Sequence, residues 1–381
     1  MNPELFNQEH LQEQLPPIPQ ESVEGWKEKR IKGLNEDMVA IGAFTEFSDC
    51  DTSGIYFGER GPGPELSFAG PNNFVNRNID RDKSLLSNFV RRGVLEKLKR
   101  AQELLPKGYY FRFFDTFRPL SVQGELFYAQ KIKVEKEHPE WDAVKDKEKI
   151  EAETHKFVAL PPADAESIKD RPSPHLTGAA IDLGLIKLSA EGLGMLQDLE
   201  NRKVSGKLNY AVKPKDQEFF SQANEWVEKL KLPDKMKKNW LAEYRYGFEK
   251  ALIFRKHSKT VDMGTPFDYF GPEATTNFYE TKSEANFGTK DYEIKNNRRL
   301  FFKVLKDAGF SNYPDEWWHW SYGDQEWAAN LKKDEALYGK IDLNEGNMAL
   351  EKARRMVYLK TIRDVRKNQN AIFIDSEDKK D

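Results

Sequence analysis

Two short stretches of this chain carry side chains able to hold a metal ion between them. In Arg171-Pro-Ser-Pro-His-Leu-Thr-Gly-Ala-Ala-Ile-Asp-Leu-Gly184 an imidazole (His175) and a carboxylate (Asp182) flank a glycine and two alanines. Residues this small let the chain return tightly, so both groups can face one cavity. The apolar run from Ala179 to Leu183 reads as a buried strand. Its alternation puts Ala180 and Asp182 on one face and Ile181 and Leu183 on the other. A carboxylate turned inward must find a cation or hydrogen bonds. In Asp315-Glu-Trp-Trp-His-Trp320 a second carboxylate, Glu316, and a second imidazole, His319, stand three residues apart inside an aromatic run. Two histidines and one aspartate make three ligands, which leaves the fourth position of a tetrahedral zinc for water. Either histidine alone reads more simply as a structural residue, and the case rests on the two spacings together.

Several elements must position these groups. Leu85, Leu86, Phe89, Val90, Val94, Leu95, Leu98 and Leu104 recur at helical spacing over residues 84 to 105, and Pro106-Lys-Gly108 stops that helix. Tyr109 to Phe114 reads as a strand that delivers Asp115-Thr-Phe-Arg-Pro119, with helix resuming from Ser121. Arg118 can serve as an active-site cation or simply pair with Asp115. Residues 132 to 156 are strongly charged and read as solvated helix, which makes His138 and His155 surface residues. Helical patterning returns near 215 to 250, and again over Asn297 to Gly309, where the glycine is a stop signal. The latter helix should lead directly into a strand from Glu316 to Trp320. Residues 324 to 337 and 345 to 368 are also helical in pattern, the last with a basic face that reads as solvated rather than as a nucleic-acid surface.

Composition sets the limits. The 381 residues are 38% apolar and 32% charged, with a net charge of −3, so nucleic acid has no general attraction to the chain. No apolar run approaches the ~20 residues of a membrane span. Glu4, Glu9, Glu13 and Glu21 precede or accompany an N-terminus with no Lys or Arg before Lys27, the opposite of a secretory signal. A cytoplasmic protein is the expectation, or a periplasmic one if the numbering starts at a processed end. The single cysteine, Cys50, excludes an internal disulfide.

The pattern Ser-x-His-x-x-Gly-x-Ala-x-Asp, followed much later by Glu-x-Trp-His, resembles the zinc D-alanyl-D-alanine dipeptidases, the vancomycin-resistance type within the wider zinc D,D-peptidase family. The resemblance covers about residues 68 to 186 and 258 to 322. It implies an α+β fold, a small central antiparallel sheet flanked by helices. It implies one zinc ion on His175, Asp182 and His319, Glu316 as general base, and Arg118 over the zinc site. Asp268, in Met263-Gly-Thr-Pro-Phe-Asp-Tyr-Phe270, matches the acid that pairs with the substrate ammonium, and Ser173 the residue near the substrate carboxylate. Phe68 falls where many such enzymes carry a tyrosine, so a phenolic hydroxyl that helps hold the amine is missing.

The implied domains are an N-terminal arm and loop (1–66), a catalytic domain (67–323) interrupted by a helical insertion at about 188–256, and a C-terminal helical extension (324–381). The implied activity is zinc-dependent hydrolysis of D-alanyl-D-alanine or a related D,D-dipeptide of cell-wall peptidoglycan, with the small dipeptide as partner and neither nucleic acid nor membrane. Two alternatives stay open: a zinc carboxypeptidase or endopeptidase on longer peptidoglycan peptides, and a non-catalytic, zinc-dependent peptide-binding protein.

Overall fold

A computed structural model describes residues 15–41, 88–155, 165–204, 253–254, 256–269, 271–348 and 351. Phe68, most of the segment read as an insertion, and the basic stretch after residue 351 lie outside the described residues.

In chain order, an irregular N-terminal arm leads into β1 (Arg30–Ile31) and β2 (Met38–Ile41). β3 (Asn88–Arg91) runs straight into α1 (Arg92–Leu104), followed by β4 (Tyr109–Asp115), α2 (Leu120–Glu137), α3 (Lys147–His155) and α4 (Ala165–Asp170). Then come β5 (Ala180–Leu188), α5 (Ala190–Val204), β6 (Ser258–Thr260), α6 (Phe278–Thr281) and α7 (Thr289–Ala308). β7 (Ser311–Asn312), β8 (His319–Ser321), α8 (Gln325–Asn330) and β9 (Glu335–Ala336) follow.

The central sheet is antiparallel in every pairing and is built around β5. β4 runs along one side of β5, while β8 pairs with its first half and β6 with its second half on the other side. β7 extends the sheet beyond β8. With helices packed around it, the mixed helix and sheet architecture agrees with the expected α+β class. A strand flanked on both sides and covered on both faces should be apolar nearly throughout, and in β5 Lys187 alone is exposed.

Alternation divides the work of β5 between its faces. Ile181, Leu183 and Leu185 enter the main core with Phe111, Phe113, Phe301, Trp318 and Trp320. On the opposite face, Ile186 and Leu188 join Leu196 and Leu199 of α5 in a second apolar cluster. That cluster covers one end of the face and leaves the other end, at Ala180 and Asp182, to the site. α7 closes the core through Phe301, Phe302, Val304, Leu305 and Ala308, whose spacing of three and four puts them on one side of the helix. It ends at Gly309, where φ is 102°, a left-handed conformation that favours glycine.

Three expectations need correction. The helix expected over 84 to 105 begins only at Arg92, because Asn88 to Arg91 form β3 and pair antiparallel with Met38 to Ile41. Glu316 lies on a turn rather than a strand: Glu316 N donates to Tyr313 O and His319 N donates to Glu316 O, and only then does β8 begin. Asn312 fixes that turn, its Nδ2 donating to Glu316 O at 3.1 Å and to His319 O at 3.0 Å. Finally, the helix expected over 324 to 337 stops at Asn330, Lys332 turns back with φ 53°, and β9 pairs in parallel with β1. A partner some 300 residues away decides that last conformation, and local periodicity carries no trace of it.

Candidate metal and catalytic site

The site begins with a row of side chains across three strands. Asp115 closes β4 opposite Asp182 of β5, and Asp182 lies opposite His319 of β8. Residues directly opposite in a ladder project to the same face, so sheet register alone gathers these three. A register shift between Phe113 and Asp115 brings the latter into line.

His175 arrives from a short helical turn, Pro174–Thr177, immediately before β5. Gly178 ends that turn with φ 69°, and a Cβ there would meet the Met38 side chain, so the tight return expected from a small residue is present. The His175 ring is fixed by its Nδ1, 2.7 Å from Thr116 O. A carbonyl can only accept, so Nδ1 carries the proton and Nε2 is free to face the cavity, 3.3 Å from Asp182 Oδ2. His319 presents the other nitrogen: its Nδ1 lies 2.9 Å from Asp182 Oδ1. The two rings stand nearly perpendicular, with centroids 5.0 Å apart. Ligand atoms of His175, Asp182 and His319 all fall within 4.8 Å of one another, and all three residues are buried.

These residues fit a zinc ion. Burial would push Asp182 up, but the two imidazoles outweigh it and hold the carboxyl well below its usual range. Burial likewise opposes charge on His319, yet Asp182 and Glu326 raise it well above the ordinary imidazole value. The cavity therefore favours positive charge between Asp182 and His319. A proton can supply it, and a divalent cation would replace that proton.

The remaining expected groups surround this centre. Glu316 Oε2 is 3.9 Å from His319 Nδ1, and its side chain keeps 34% of its surface open. Burial, with Asp182, Asp268 and Glu326 adding to it, pushes Glu316 up to about 8. Asp268 is pushed up to about 7 by burial and by Asp182. It sits at φ 61°, unusual for a residue with a side chain, on the segment that Arg298 and Asn297 of α7 hold. Arg298 Nε donates to Met263 O, its other nitrogens donate to Glu273 O and Thr275 O, and Asn297 Nδ2 donates to Asp262 O. Trp317 Nε1 donates to Thr265 Oγ1 at 2.8 Å and ties the same segment to the Glu316 turn.

Arg118 pairs with Asp115, the simpler of the two roles considered for it. Its Nε and Nη2 donate to Asp115 Oδ2 and its Nη1 donates to Gln123 Oε1. Burial opposes its charge, but Asp115, Asp182 and Asp268 together raise its pKa, which places the guanidinium within electrostatic reach of the site. Ser173 is buried, and its hydroxyl has no hydrogen-bond partner among the described residues. His138 and His155 are at the surface, as expected.

One neighbour was not anticipated. Glu326 of α8 is buried, with Oε2 3.2 Å from His319 Nε2. Its signal in the sequence is a charged residue beside Trp327 and two alanines, two positions after the helix-capping Asp324.

Comparison with known proteins points the same way. Residues 202–335 match a family model described as D-ala-D-ala dipeptidase. That span holds Asp268, Glu316, His319 and Glu326, and begins after His175 and Asp182. A D-alanyl-D-alanine dipeptidase of Synechocystis sp. is 33% identical over 90 residues, which cover 22% of this chain and 36% of the length of that relative. Both matches fall on D-alanyl-D-alanine dipeptidases and bear out the resemblance to them; the family model spans the second motif and not the first, and the chain spans 36% of the length of that relative.

Proposed function

We propose that the chain hydrolyses D-alanyl-D-alanine, or a closely related D,D-dipeptide, with one zinc ion held by His175 Nε2, Asp182 and His319 Nδ1. The observation that carries this reading is the convergence of those three buried ligands beside Glu316. A zinc ion held there would lower the pKa of a bound water towards ~7 and polarise the scissile carbonyl.

The protein's own residues would do the rest. Glu316 takes the proton of the attacking water and delivers it to the leaving nitrogen. Without metal its carboxyl is raised to about 8, and a divalent cation held beside it would draw it back towards the ionised form that accepts a proton. Arg118, held rigidly by Asp115 and Gln123, faces the oxyanion without needing to reorganise. Asp268 receives the free ammonium of the dipeptide, whose positive charge would draw its carboxyl back towards ionisation. The unpartnered Ser173 hydroxyl is suited to the substrate carboxylate. Phe68, taken in place of a tyrosine, leaves the amine pocket one hydroxyl short. The catalytic unit is taken as residues 67–323 with its insertion at about 188–256, which the family match enters at residue 202.

The test is turnover by zinc-loaded protein on D-Ala-D-Ala, on mixed L,D- and D,L-dipeptides and on a pentapeptide stem, each repeated after chelation. Metal-dependent cleavage of the D,D-dipeptide supports the reading. Preferred cleavage of the stem would move the chain to the carboxypeptidases. Zinc binding without turnover on any of them would make it a peptide-binding protein.

A further inference from the structure

We propose that Glu326 is a positioning residue for His319, holding the imidazole from behind so that Nε2 keeps its proton and Nδ1 is presented to the metal. The inference rests on the metal-site reading above and extends it to a residue that touches neither metal nor substrate.

The two histidines are restrained by different means. His175 is set by a backbone carbonyl, Thr116 O, at 2.7 Å from its Nδ1. Among the described residues His319 has no such carbonyl: its Nδ1 faces Asp182, and Glu326 Oε2 lies 3.2 Å from its Nε2. His319 Nε2 and Glu326 Oε2 are both buried and have no hydrogen-bond partner among the described residues, so each has only the other, at ion-pair distance, to answer its charge. A glutamate is almost never fully buried unless paired, and the Glu326 side chain is only 8% exposed.

Keeping this carboxylate has a cost, which argues for a task. Glu326 lies close to Asp324, whose side chain caps α8 by accepting from Trp327 N. Burial, with Glu326 adding to it, pushes the Asp324 carboxyl up to about 6. Two neighbouring buried acids destabilise the fold, and an apolar residue at 326 would relieve them. What the carboxylate contributes in return is a fixed tautomer and a more basic nitrogen on the metal side, the general effect of a carboxylate behind a ligand imidazole. Packing completes the clamp, since the Tyr313 ring lies against His319 at 5.9 Å between centroids. α8 is thereby joined to the metal centre, although its residues lie beyond both sequence motifs.

The experiment measures zinc affinity by competition with a chromophoric chelator for the wild-type chain, Glu326→Gln and Glu326→Ala, together with the melting temperature of each metal-free protein. Both variants should bind zinc about 10- to 100-fold more weakly. The melting temperatures establish that each variant is folded when its zinc affinity is read, since loss of Glu326 removes both its repulsion with Asp324 and its pairing with His319. In the zinc-loaded wild type, nitrogen-resolved NMR should find the His319 proton on Nε2, a readout that needs no variant to fold. Unchanged zinc affinity in Glu326→Gln overturns the positioning role while leaving the metal site intact, whereas a His319 proton on Nδ1 overturns both, because that nitrogen could not then hold the ion. A wild-type chain that binds no zinc overturns both.

Discussion

Asp182 and His319 face each other across adjacent antiparallel strands, with Oδ1 and Nδ1 2.9 Å apart. Sheet register sets these two groups, and a helical turn just before β5 adds His175 to them. His175→Ala, Asp182→Ala and His319→Ala should each remove most bound zinc, because a three-ligand site has no ligand to spare. His257→Ala should leave zinc in place, since that residue lies 3.5 Å from Glu191 and its carbonyl accepts from Ser189 N, past the end of β5 away from Asp182. Elemental analysis of the purified variants decides it, and full occupancy in His175→Ala would sink the assignment.

Glu316→Ala separates chemistry from metal binding. Zinc content should stay at the wild-type level while turnover falls by about 10²- to 10⁴-fold, the usual contribution of a placed general base. Steady-state kinetics on the zinc-loaded variant provides the check. Turnover near wild type would show that another group accepts the proton.

Arg118→Ala should lower kcat by on the order of 10²-fold or more, as loss of one oxyanion donor does elsewhere. Asp115→Asn should show a smaller fall, since it loosens the guanidinium without removing it. If Arg118→Ala raises KM and spares kcat, the arginine holds the ground state, and its proposed part in the transition state is wrong.

Much of this site could be read from residue types. The strands expected at Ala179 to Leu183 and at Tyr109 to Phe114 fall within or along the observed Ala180–Leu188 and Tyr109–Asp115, and the turn that returns His175 also follows from local composition. What could not be read depends on distant partners. Phe89 and Val90 satisfy a helical pattern as well as they do a strand, and only pairing with Val39 and Ala40 selects the strand. The Glu316 turn is imposed by Asn312 from the preceding strand. Glu326 escaped notice because an acid in a helical pattern ordinarily marks the solvated face, and nothing local shows that an imidazole lies behind it.

The metal-free protein should be most stable in mildly acidic solution. Glu316, Asp268 and Asp324 are raised to about 8, 7 and 6, so the folded state binds more protons than the unfolded state above the ordinary carboxylate range, and stability falls as pH rises through those values. His319, also raised, contributes stability that is complete below its unfolded pKa and is lost as pH rises through the folded one. Asp182 runs the other way: it is depressed, so its contribution is present above the usual aspartate pKa and lost as pH falls below it. Melting of the chelated protein should therefore occur at a lower temperature at pH 8 than at pH 5, and Glu316→Gln should narrow the gap. A wider gap in that variant would contradict the assignment of Glu316 to the cluster.

The central claim is that a free dipeptide is the substrate, held at its amino end by Asp268. An acylated amine would leave that carboxylate without its cation, a loss of about 3 kcal/mol, or roughly 100-fold in rate. The direct measurement is kcat/KM of the zinc-loaded wild-type chain on D-Ala-D-Ala and on N-acetyl-D-Ala-D-Ala. The account predicts a preference of at least ~100-fold for the free dipeptide, reduced in Asp268→Asn because the free dipeptide suffers most. Equal rates on the two substrates, or faster cleavage of the acetylated one, would contradict it.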